Sequence, residues 1–238
     1  MAFGQEHRTM DATHAQAAHM DVGLRKYMMR VYNYMASGVA LTGAVAAGVA
    51  SSETLMAAIF GTPLFWVVAL APLGFVIFLS ARIHKIQAST AQMLFWVYAA
   101  LVGASIASIF VVYTGESIAR VFFISAASFA GLSLWGYTTK KNLTGMGNFM
   151  IMGLFGIIIA GLVNIFLESS ALHFAISAIG VLIFAGLTAY DTQRIKAMYY
   201  AGDDSETAGK KAVMGALSLY LDFLNIFLFL LQFLGNRE

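Results

Sequence analysis

Cysteine is absent from the 238 residues, which excludes disulfides, thiolate chemistry and Cys-ligated metals and leaves the redox compartment unreadable. Charge is scarce as well: Asp, Glu, Lys and Arg make up 11% of the chain, against ~25% in soluble domains. Proline occurs only twice, as Pro63 and Pro72, both in or beside one apolar run. What is present instead is apolar. The chain is 60% hydrophobic with a mean hydropathy of +0.77, so it reads as an all-helical polytopic membrane protein built against lipid rather than a soluble domain. The net charge is only +2, and the basic residues are spread over several connecting stretches. That spread argues against a nucleic-acid surface.

Seven apolar runs are long enough to cross a hydrocarbon core of ~30 Å: Val31 to Ala50, Thr62 to Ala81, Ala91 to Tyr113, Arg120 to Tyr137, Phe149 to Leu167, Ala171 to Asp191, and Val213 to Leu234. The connections are short, so a single transmembrane domain is expected over residues 25–238, preceded by a polar tail over 1–24. That tail lacks the apolar core of a signal peptide and reads as mobile. It holds His7, His14 and His19, whose spacing makes a weak case for metal binding. A cytoplasmic N-terminus places twelve of the fourteen Lys and Arg residues on the inner side, leaving only Arg120 and Arg237 outside. This is a strong positive-inside bias. Seven full spans then put Arg237 outside, whereas a last helix that dips in and returns would leave the end inside. Gly38, Gly43 and Gly48 in the first run, and Gly153, Gly156 and Gly161 in the fifth, suit close helix packing in lipid.

Two carboxylates stand within or at the end of apolar runs: Asp191 in Ala189-Tyr190-Asp191-Thr192-Gln193, and Asp222 in Leu219-Tyr220-Leu221-Asp222-Phe223-Leu224-Asn225. An ionised acid at mid-membrane costs at least ~2.5 kcal/mol, so such residues mark a site by default. Positions 191 and 222 are equidistant from the polar run Gly202 to Gly209, taken as the turn between two helices. Equal arms put the two acids at similar depth, where they can meet. On the last helix Ser218, Asp222, Asn225 and Gln232 share one face, and on the preceding one Tyr190, Thr188 and Gln193 flank Asp191. An interhelical hydrogen-bond seam explains the Ser and Asn but has no use for a buried carboxylate. Two acids in contact cannot both ionise cheaply, so they are expected to share a proton. Arg82, at the inner end of the second run, is a candidate third charge or simply an anchor beside Lys85.

The runs Ala189 to Lys196 and Leu217 to Phe227, with the junction Thr139-Lys140-Lys141-Asn142-Leu143-Thr144, resemble the Bax inhibitor-1 family, and the seven-helix layout extends that likeness from about Arg25 to Gly235. The resemblance implies a bundle in which the seventh helix is central, surrounded by the other six. It also implies a pH-sensitive calcium leak in which Asp191 and Asp222 act as sensor and gate, with Arg82 as gate partner and calcium as permeant ion rather than cofactor. The chain has no charged tail after its last helix, unlike many eukaryotic members, which favours a member in a bacterial cytoplasmic membrane.

Other classes were weighed against this. An intramembrane aspartyl protease also pairs Tyr-Asp with a second aspartate, but Leu219, Tyr220 and Leu221 stand where such enzymes carry Gly-x-Gly, and a Pro-Ala-Leu element is absent. Ser133 and His173 fall toward opposite ends of their helices, which excludes a serine protease, and the last helix has no lysine between Val213 and Leu234 to bind retinal. A regulator that binds another membrane protein without transporting anything stays open. The expectation is a non-enzymatic cation leak: Asp191, Asp222 and Arg82 sense and gate, Ser218, Asn225, Tyr190 and Gln193 support them, and the two aspartates contact calcium transiently. Its partners are the bilayer and calcium ions.

Overall fold

A computed structural model describes residues 3–236, with side chains from residue 22 onward. The metal reading of His7, His14 and His19 and the expected mobile tail lie outside the described side chains. Among the described residues the chain folds into helices α1 (Phe3–Ala50), α2 (Glu53–Phe60), α3 (Leu64–Arg82), α4 (Ala88–Ile106), α5 (Ile109–Val112), α6 (Gly115–Thr138), α7 (Thr144–Leu167), α8 (Ser170–Ala197) and α9 (Ser205–Leu234). Seven segments are long and apolar enough to cross a membrane, as expected. Lipid offers backbone groups no partners, so apolar runs of this length satisfy themselves as helices. One detail differs from the hydropathy pattern: the third span is interrupted between α4 and α5.

Helix ends are fixed by short polar side chains. Ser52, Thr114, Ser169 and Asp204 each accept a hydrogen bond from the backbone N–H three residues on, which satisfies one of the free donors that every helix start leaves. The Asp204 cap moves the start of α9 forward, so Ser205 to Gly209, expected in the turn, are helical. The register survives the shift. The contacts Ile195 to Gly215, Arg194 to Ser218, Gly180 to Phe229 and Ser177 to Gln232 are all centred within two residues of Ser205. α8 and α9 therefore run antiparallel with equal arms, and Asp191 and Asp222 reach similar depth.

α9 is the most buried span: 67% of its apolar window lies inside the protein, against 33% or less elsewhere. It packs closely against α1, α4, α6 and α8, while α3 is held through α4 and α7 through α8. Four close neighbours thus stand where six were expected. Between α3 and α7 there is no extensive packing among the described residues, so the α9 stripe of Met214, Ser218, Leu221 and Asn225 is only half covered.

Of the glycines the sequence singles out, Gly38 packs against Phe95 of α4 and Gly153 against Ile183 of α8, and the others do not. Around Gly43, Gly48, Gly156 and Gly161 there is open space, whereas the Cα of Gly136 on α6 faces the Ala189 backbone of α8, and a Cβ at Gly103 would lie 2.6 Å from the Thr42 carbonyl oxygen.

Candidate functional site

Asp191 and Asp222 line one cavity of about 620 Å³ bounded by α7, α8 and α9. Its apolar walls include Ile151, Leu154 and Phe184, and its polar lining is completed by Arg194, Ser218 and Asn225. Asp222 is 4% exposed, and its Oδ2 has no hydrogen-bond partner. A buried carboxyl oxygen left unpaired is costly. Asp191 is slightly more open, and its Oδ1 lies 3.6 Å from Arg194 Nη2, one helical turn away. The same nitrogen donates to Ser218 Oγ at 3.4 Å. Arg194 therefore bridges the Asp191 carboxylate and the α9 stripe one turn from Asp222.

Of the residues expected to support the pair, Ser218 and Asn225 line the cavity, Asn225 donating to the Leu221 carbonyl of its own helix at 2.8 Å. Gln193 points elsewhere. Its Nε2 donates to the Lys141 carbonyl and its Oε1 accepts from the Leu143 N–H, both at 2.8 Å, so it fastens α8 to the α6–α7 connection. The Tyr190 ring packs on Gly147 of α7 and carries the Arg194 guanidinium 5.8 Å from its centroid. Arg82, expected as gate partner, is exposed in the last turn of α3, does not line the cavity, and makes no ion pair among the described residues. Arg194 holds that position instead. The signal for it was present in the three-residue spacing to Asp191, which places both on one face of α8.

Two further polar chains brace the bundle. Thr192 donates to the Thr188 carbonyl at 2.8 Å, so the Ser133 hydroxyl, 2.9 Å away, donates to Thr192, and Tyr32, 2.7 Å from Ser133, donates to Ser133. This chain ties α1, α6 and α8. Thr42 donates to the Ala99 carbonyl at 2.8 Å and takes the Tyr220 hydroxyl at 2.6 Å, joining α1, α4 and α9.

A second cavity, of about 540 Å³, lies at the ends of α3 and α8 and the start of α9. Arg194 and Ser218 line both cavities and stand at their boundary.

Among the described residues no group of three or more His, Cys, Asp or Glu side chains gathers as a metal site. Asp191, Asp222 and Asn225 offer fewer oxygens than the six to eight that calcium takes. The arrangement puts two carboxyl groups on one cavity and an arginine within reach of Asp191 and of the Ser218 hydroxyl.

Seven helices long and apolar enough to cross a membrane define an integral membrane protein of the polytopic helical class. The family described as "Inhibitor of apoptosis-promoting Bax1" matches residues 24–238, and the chain belongs to it. It is 49% identical over 218 residues to the uncharacterized protein RP147 of Rickettsia prowazekii, covering 92% of each chain. It is 47% identical over 219 residues to the inner membrane protein YbhL of Escherichia coli, covering 91% of this chain and 94% of that one. A Caulobacter vibrioides protein is 47% identical over 230 residues, with 92% of each chain covered.

Proposed function

We propose that this protein is a pH-sensitive cation leak, with calcium as the permeant ion, in which Asp191 and Asp222 form the proton sensor and Arg194 replaces Arg82 as their cationic partner. The observation that supports this reading most is the Asp222 carboxylate, buried with an unpaired oxygen on the wall of a cavity that also holds Asp191. A carboxylate held so has value where its proton or a cation comes and goes. When a proton occupies the pair, the attraction that draws Arg194 to Asp191 weakens, and the guanidinium is free to move along α9. A cation entering the deprotonated pair keeps most of its water, because two carboxylates and one amide cannot complete its shell. That favours passage over storage. The function involves no enzymatic chemistry.

The protein resides in a bacterial cytoplasmic membrane with its N-terminus inside. The printed name of the Escherichia coli relative, an inner membrane protein, and the distribution of Lys and Arg support this placement.

The test is calcium entry into liposomes carrying the purified protein, scanned from acid to alkaline pH, for the native chain beside Asp191→Asn and Asp222→Asn. The expected result is a pH-dependent flux whose profile flattens in both variants. A native protein that passes no calcium at any pH ends the leak reading and leaves the regulator of another membrane protein in its place.

A further inference from the structure

The second cavity has a lining unlike the first. Four of its side chains are basic, His84 after α3, Arg194 on α8, and Lys210 and Lys211 on α9, and Ser80, Thr207 and Ser218 add hydroxyls. No carboxylate lines it. The acids that balance these cations are not part of its lining: Asp203 Oδ2 is 2.5 Å from Lys211, Glu206 Oε1 is 3.2 Å from Lys210, and Asp191 Oδ1 is 3.6 Å from Arg194. Each pairing uses one donor of a group that has three or five. The residues that carry the remaining donors line a space of about 540 Å³. The rest of the wall is apolar, with Ile83, Ile195, Met198 and Met214. The cavity lies where α3 and α8 end and α9 begins, at one end of the membrane-length helices.

We infer that this cavity is a binding site for a phosphate-bearing anion, held by Arg194, Lys210 and Lys211 with hydroxyl help from Thr207 and Ser218. Arg and Lys converging from two helices suit the several oxygens of a phosphate. The apolar walls suit the carbon skeleton that such a group carries. An anionic phospholipid and a soluble phosphate present the same chemistry here. The site does not depend on the leak, since nothing in it requires an ion to cross.

The experiment uses the full chain in nanodiscs of purely zwitterionic lipid. Inorganic phosphate is titrated in one arm, and in the other phosphatidylglycerol is added and its retention is read by native mass spectrometry. The variants are Lys210→Gln with Lys211→Gln, and Arg194→Gln from the opposite wall. Lys140→Gln with Lys141→Gln removes equal charge from an exposed connection on the same face. Loss of one charge-assisted contact weakens binding about tenfold. The expected result is such a loss in both cavity variants and none in the Lys140/Lys141 control. Binding confined to phosphatidylglycerol identifies a lipid headgroup, and binding of inorganic phosphate identifies a soluble ligand. Absence of binding in both arms, or equal losses in cavity and control variants, overturns the site. Because no flux is measured, a protein that passes no calcium can still pass this test, and the reverse.

Discussion

Gly136 shows how much a single hydrogen atom in place of a methyl group decides here. Its Cα faces the backbone of Ala189, two residues before Asp191, so any side chain pushes α6 away from the helix that carries the acid. Gly136→Ala is expected to cost ~1–3 kcal/mol by overpacking, read as a lower unfolding temperature in detergent. Gly156→Ala, which points into open space, should change little. Equal effects in the two variants would show that the α6–α8 crossing is looser than described. Arg194 is the other residue on which much turns. The three-residue spacing to Asp191 offered it, but from the sequence alone it counted only as one of the inner-side basic residues. Arg82 looked the better gate partner because nothing in a sequence says which faces of α3 and α8 turn toward α9.

Among the helices, α8 and α9 carry the two acids, and their ends are open to test. Hydrogen bonds from Thr207, from its side chain first and then its backbone N–H, hold the exposed Asp204 carboxyl below the usual range. A carboxyl depressed in the folded state contributes stability above its unfolded pKa and loses it as pH falls through the lower, folded value. The first turn of α9 should therefore fray in acid, seen as lost hydrogen-exchange protection at Thr207 after correction for the intrinsic rate. Asp204→Asn should make that protection independent of pH. On the α8 side of the α8–α9 turn, Gln193 holds the Lys141 carbonyl and the Leu143 N–H. Gln193→Ala leaves the Leu143 donor unpaired at a cost of ~1–3 kcal/mol, and faster exchange at Leu143 is the readout. The lengths of these helices and their common register were legible because membrane thickness and antiparallel geometry constrain them. The direction of Gln193 was not, since a glutamine beside an aspartate is equally well placed for cavity or connection, and only the path of residues 139–143 decides between them.

For the whole molecule, seven full spans would place the two ends of the chain on opposite sides of the membrane. With the N-terminus inside, alkaline phosphatase fused after Glu238 should be active and the same enzyme fused after Lys141 inactive. The opposite pattern reverses the orientation, and activity at neither position indicates a last helix that returns. The loose boundary between α3 and α7 was invisible in the sequence. Every helix there is apolar, and apolar residues facing lipid look the same as those facing protein.

Arg194 lines both cavities, so an anion bound in the second as proposed would compete with Asp191 for it. A guanidinium drawn to an anion beside Lys210 and Lys211 is withdrawn from Asp191, and thermodynamic linkage requires the effect to be reciprocal. Neutralising Asp191 should then tighten anion binding at a site on the far side of the arginine. Phosphate or phosphatidylglycerol affinity in Asp191→Asn should rise severalfold, while Asp191→Asn combined with Arg194→Gln should show no gain over Arg194→Gln alone. The lipid composition or phosphate content at one face of the membrane would in that case set how readily the acid pair within it gives up its charge.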